Sequence, residues 1–99
     1  MASGILCSLR LPSVALPSFK ALYAFVKLTN PLNGKRAFAA VLDVGPHYTD
    51  DDEYVFEGAR PKAESTRPNK AGIDLSEAIW AALGMTDNTD VDWEFIVPQ

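Results

Sequence analysis

Asn69-Lys-Ala-Gly-Ile-Asp-Leu-Ser-Glu-Ala-Ile-Trp-Ala-Ala-Leu-Gly84 joins a turn, a strand end, a capped helix and a glycine stop within sixteen residues. Two readings meet at Asp74. Asp74 with Glu77 has the spacing of a capping box, an acceptor at the N-cap and a Glu three residues on. An aspartate there is also favoured by the positive end of the helix dipole. The competing reading makes Asp74 a functional carboxylate at a strand-to-helix junction. Beyond it, Ile79, Trp80 and Leu83 share one apolar face of a short helix. Gly84 stands where a helix ends with a residue in the left-handed region.

Upstream, Tyr23 to Thr29 reads as a strand with Val26 and Leu28 on one side and Lys27 on the other. Asn30-Pro-Leu-Asn-Gly34 follows as a turn, and Asn33-Gly34 tolerates the positive φ of a hairpin. Lys35 to Asp43 returns as the second strand. Its Ala37, Ala39 and Ala40 beside Phe38, Val41 and Leu42 predict a strand buried on both sides. Residues 5 to 19, punctuated by Pro12 and Pro17, read as a short strand and then an irregular segment.

From Pro46 to Lys70 the sequence predicts a polar connection of about 25 residues, long for so small a domain and hence functional or ordered by a partner. It holds His47, the acidic run Asp50-Asp-Asp-Glu53 and a Tyr54-Val-Phe56 patch that reads as a short strand. At the far end, Val91, Trp93, Phe95 and Val97 alternate with Asp92, Glu94 and Ile96, the mark of a half-buried strand. Trp93 shares the apolar side, so it reads as core or barrel-mouth packing before it reads as a platform for sugar. Several strands and one short helix in one domain spanning 1–99 favour a small barrel, which leaves few open edges.

The bulk properties exclude much else. A net charge of −4 disfavours nucleic acid as a partner. A single cysteine, Cys7, forbids an intrachain disulfide, and one thiol with one histidine makes a poor case for zinc or thiol catalysis. The acidic run lacks the spaced oxygens and glycine of a calcium loop. No cofactor or metal is expected. No apolar run approaches the ~18 residues of a membrane span, and the first ten residues lack the basic start of a signal peptide.

What remains is a set of carboxylates and one imidazole near strand ends. Asp43 follows a strand and precedes Val-Gly-Pro, which places it at a barrel rim or in an Asx turn with the following amides. If Asp43 and Asp74 converge in a groove, burial and mutual repulsion raise one pKa and leave a proton donor facing an ionised partner, the division of labour of glycosidic cleavage. His47 supplies a base or a hydrogen bond. Tyr48, Arg60 and Glu64 are the candidate substrate-binding side chains of the long connection.

Leu28-Thr-Asn-Pro-Leu-Asn-Gly-Lys35, Val41-Leu-Asp-Val-Gly-Pro46, Ala71-Gly-Ile-Asp-Leu-Ser76 and Ala81-Ala-Leu-Gly84, in this order, resemble the double-psi β-barrel of the rare lipoprotein A group. More distantly they resemble expansins and family-45 endoglucanases. The resemblance covers residues from about 14 to 97. It implies a mainly β fold, a six-stranded pseudo-twofold barrel with one or two short helices, and a groove that in relatives binds cell-wall polysaccharide. Some relatives are lytic transglycosylases that cleave peptidoglycan without adding water. Asp43 matches the aspartate of the group's Asp-Arg-Gly-Pro motif, with Val44 in place of the arginine. Asp74 matches the catalytic aspartate of a His-Phe-Asp segment, with Gly72 and Ile73 in place of its first two residues. Residues 4 to 18 hold none of the acids or histidine that the group carries in its first third. The combined expectation is a barrel module, non-catalytic or weakly catalytic, that binds a glycan polymer or neighbouring protein subunits, an oligomer being compatible with either. The alternatives are an enzyme using Asp43, Asp74 and His47, and a structural subunit of a phage particle or envelope assembly. An extracellular, envelope or virion location follows from the resemblance.

Overall fold

The computed structural model describes residues 2–6, 12–62, 64 and 71–96, the first five as backbone only. Cys7, Arg67, Lys70 and Val97 lie outside the described residues.

Among the described residues the chain is mainly β, a mixed, curled sheet with short helices. Its strands are β1 (Ala2–Leu6), β2 (Ser13–Leu16), β3 (Phe25–Thr29), β4 (Arg36–Val44), β5 (Ile73–Leu75) and β6 (Thr89–Phe95). Hydrogen bonding runs β1-β5-β2-β4-β3-β6, and β6 pairs in turn with β1. β1 with β5 and β2 with β4 are parallel; the other pairs are antiparallel. The helices are α1 (Asp52–Glu57) and α2 (Glu77–Ala82).

Period-two patterning builds the core. Val26 and Leu28 of β3 are fully buried and face Ala39 and Ala37 of β4, so branched side chains sit opposite small ones. Val14, Leu16, Val41, Ile73, Leu75 and Val91 join them, and Ile79 and Leu83 of the α2 segment pack into the same cluster. The turn between β3 and β4 spans residues 30–35, one residue beyond the expected Asn30-Pro-Leu-Asn-Gly34. Gly34 takes φ of 75° as its amide donates to the Asn30 carbonyl.

Four expectations need correcting. Asp74 is not the N-cap of α2; it is the middle residue of β5. Ser76 caps the helix, its Oγ accepting from the Ile79 amide, and also from the Ser13 amide at 3.0 Å, which ties the helix start to β2. Residues 13–16, read as irregular, form β2: Pro12 and Pro17 bracket the strand without entering it, and all four of its residues are buried. Tyr54-Val-Phe56 is helical, because Asp52 and Glu53 fill the first turn of α1 and Gly58, at φ of 76°, ends it. β4 is buried on one side only; Phe38 and Leu42 face outward.

Candidate functional site

The three residues proposed for catalysis meet on the outer side of the β5-β2-β4 strip. In β5, Ile73 and Leu75 turn into the core, so Asp74 between them turns away from it. Register places Asp74 opposite Ala15, and Ala15 opposite Asp43. The two aspartates therefore flank one small residue in a single cross-strand row, two strand spacings or about 10 Å apart at the backbone. The β2–β4 register slips between Val14 and Ala15, which pair with Val41 and Asp43, so β4 carries the extra residue, Leu42. That shift brings Asp43 into the row.

The segment after β4 closes over the row. Gly45 has φ of 152°, and a Cβ there would lie 3.8 Å from the Asp74 Oδ2. Glycine is suited to the backbone conformation, while the 3.8 Å approach is ordinary van der Waals contact. The Gly45–Pro46 peptide is cis, and His47 is held at φ of 67°. A non-glycine residue in this region is uncommon, and such conformations gather at functional sites.

The two carboxylates differ in state. Asp43 is exposed within β4, rather than in a turn after it, and its Oδ1 accepts from the neighbouring Val44 amide at 2.8 Å. The Asp74 Oδ1 is buried and has no hydrogen-bond partner among the described residues. Burial pushes the Asp74 carboxyl up to about 6, opposed by the positive charge of His47 and reinforced by the negative charge of Asp43. A carboxyl in this condition keeps its proton up to about pH 6, where an ordinary aspartate has lost it, and has an oxygen unoccupied by the described residues.

The proposed binding residues divide. Arg60 and Glu64 are joined by a 2.7 Å ion pair and line a cleft of about 580 Å³. Tyr48 is not with them; its ring lies under the Lys62 ammonium, 5.7 Å away. The cleft has an aromatic wall that the sequence reading left as packing. Phe56 stacks on Phe95 at 5.4 Å, and Trp93 meets both Phe95 and Tyr54 edge to face. The Trp93 Nε1 donates to the Tyr54 hydroxyl at 2.9 Å, and burial holds that phenol above its ordinary range. The alternation of Trp93 and Phe95 was the available signal; that α1 lays Tyr54 and Phe56 against them was not in the local pattern.

Asp43, His47 and Asp74 do not line this cleft; Gly72 packs behind its Tyr54 and Pro61. A Cβ on Gly72 would come within 2.8 Å of both the Tyr54 hydroxyl and the Pro61 ring, and Asp74 stands two residues on. Gly72→Ala is expected to cost about 1–2 kcal/mol through overpacking. A denaturant midpoint equal to that of the unsubstituted protein would refute the contact.

Among the described residues no group of His, Cys, Asp and Glu is placed to hold a metal ion, and no helix is long and apolar enough to cross a membrane. Neither the protein-family models nor the curated proteins contain a match to this sequence.

Proposed function

We propose that the chain is a double-psi barrel module of the rare lipoprotein A kind that engages cell-wall-type polysaccharide, with Asp74 as the proton-holding carboxyl of its groove. The observation that carries this reading is the unpartnered, buried Oδ1 of Asp74, in a carboxyl whose pKa is pushed up to about 6, in one row with Asp43 and beside His47. A protonated carboxyl donates to a glycosidic or hydroxyl oxygen, and the second carboxylate supplies negative charge to an oxocarbenium-like centre. The aromatic wall of Trp93, Phe95 and Phe56 offers apolar faces for sugar rings, and Arg60 and Glu64 offer hydrogen bonds at the rim.

A second reading, binding without cleavage, is favoured by Asp43: its Oδ1 is already engaged by the Val44 amide. Purified peptidoglycan sacculi separate the two. Release of soluble sugar fragments by the intact protein, lost in Asp74→Asn, is the expected result for a lytic module. Co-sedimentation with sacculi and no release supports the binding module. Neither release nor co-sedimentation overturns both and turns attention to protein assembly.

A further inference from the structure

The Asn33–Gly34 pair in the turn of the hairpin is also a site of spontaneous covalent change. Asparagine is a thermolabile residue, and a glycine after it leaves the next amide nitrogen unhindered. Gly34 has open space where a Cβ would be, and both residues are exposed to water. The Gly34 nitrogen, as its anion, adds to the Asn33 Cγ and a cyclic imide closes. The Cγ–Nδ2 bond breaks, and Nδ2 leaves as ammonia with the proton that Gly34 gave up. Water then opens the imide at either carbonyl, leaving aspartate or isoaspartate. An amide has become a carboxylate, and a chain of net charge −4 gains one more negative charge.

In the native fold the atoms that must move are held. The Gly34 amide donates to the Asn30 carbonyl at 2.8 Å. The Asn33 Oδ1 accepts from the Lys35 amide at 2.9 Å, and its Nδ2 donates to the Leu83 carbonyl at 3.0 Å. Buried Asn30 reaches the same Leu83 oxygen at 2.9 Å, which pins the loop to the end of α2. Imide closure has to turn the Asn33 carboxamide off Leu83 and the Gly34 nitrogen off Asn30, so it proceeds in the fraction of molecules whose loop has lifted. Residues 31–36 are exposed, and such a segment opens locally far more often than the whole chain unfolds. Once converted, position 33 has no donor for Leu83 and sets a carboxylate oxygen toward its carbonyl. The contact does not re-form. We propose that Asn33 is a self-modification site gated by the Leu83 contact, and that its conversion is a one-way release of the β3–β4 loop from the end of α2.

Tandem mass spectrometry of the tryptic peptide 28–35 distinguishes Asn33 from Asn30. It follows the conversion in the full chain, incubated in mildly alkaline buffer with and without guanidinium chloride. Conversion at Asn33 is expected in both, at least about tenfold slower in the native chain. Asn30→Ala should raise the native rate at least about threefold, because the remaining contact to Leu83 opens more readily. Asn30→Asp keeps the acceptor for the Leu32 amide and loses the donor for Leu83, so it should act in the same direction if the alanine variant does not fold. Gly72→Ala, destabilised elsewhere with the Leu83 contact intact, should leave the native rate unchanged, which gating by global unfolding would not allow. The converted chain, isolated by anion exchange on its added charge, should have a lower urea midpoint than its parent. Equal rates with and without denaturant, Asn30 variants that leave the rate unchanged, acceleration by Gly72→Ala equal to theirs, or an unchanged midpoint overturns the proposal. So does a chain that shows no conversion at Asn33 in either state.

Discussion

Asp74→Asn is expected to stabilise the protein at pH 7.5 while removing whatever glycan chemistry it has. The folded-state pKa of Asp74 is raised to about 6 from an ordinary 3.8. The native state therefore holds this proton more tightly than the unfolded chain. The associated stability is complete below pH 3.8, is lost as pH rises to 6, and is absent at pH 7.5. An amide in place of the carboxylate removes the cost of burying the charge. The full shift corresponds to about 3 kcal/mol, and partial solvent access reduces that to about 1–2 kcal/mol. For a chain of this length the melting temperature should rise by roughly 5–10 °C at pH 7.5, with little change at pH 4. Thermal melts at the two pH values decide it. A carboxylate whose role is to cap or brace the fold would give the opposite sign, so a drop in melting temperature at pH 7.5 would sink the functional reading of Asp74.

Asn30→Ala should be among the most damaging polar substitutions. Asn30 is buried; its Nδ2 donates to the Leu83 carbonyl at 2.9 Å and its Oδ1 accepts from the Leu32 amide at 3.0 Å. The Asn33 Nδ2 reaches the same Leu83 oxygen at 3.0 Å. The carbonyl at the end of α2 is thus satisfied by two carboxamides from the β3–β4 loop, a long-range clamp rather than a local cap. Loss of both Asn30 bonds and of the buried volume should cost about 2–3 kcal/mol, against about 0.5–1 kcal/mol for the more exposed Asn33→Ala. Because they share an acceptor, the double variant should depart from additivity by about 0.5 kcal/mol or more. Urea midpoints of the two single variants and the pair measure this. An Asn30→Ala cost below that of Asn33→Ala would refute the clamp.

The hairpin was legible because Val26, Lys27 and Leu28 alternate and Gly34 marks the turn; burial on one side of β3 leaves that trace in any sequence. Gly84, at φ of 63°, ends the second helix as its position implied. The strand β2 was not legible, because Ser13-Val-Ala-Leu16 is buried on both sides and shows no alternation between its flanking prolines. α1 hid in an acidic run whose charges favour a helix start and look, in sequence, like a solvated loop. At the site, the residue types were legible and their arrangement was not. That Asp43 and Asp74 share a row depends on Ala15, which carries no chemistry, and on one extra residue, Leu42, in β4. The misassigned cap has the same origin: Asp74 and Ser76 are both good N-caps, and only strand pairing decides that the first belongs to β5.

The brevity of β5 has a consequence for how the chain reaches its native state. Three residues bridge β1 and β2, joining Gly4 to Ile73 on one side and Val14 to Leu75 on the other. These are among the most sequence-distant pairings in the molecule, and a parallel one forms only after a long loop has closed. During synthesis β1 and β2 emerge long before the segment that will join them, while β3 and β4 zip together locally. The last pairings to form are therefore expected to be those of β5 with β1 and β2 and of β6 with β1, in milliseconds to seconds rather than microseconds. Until that moment those edges are open to other chains, so refolding yield should fall as protein concentration rises.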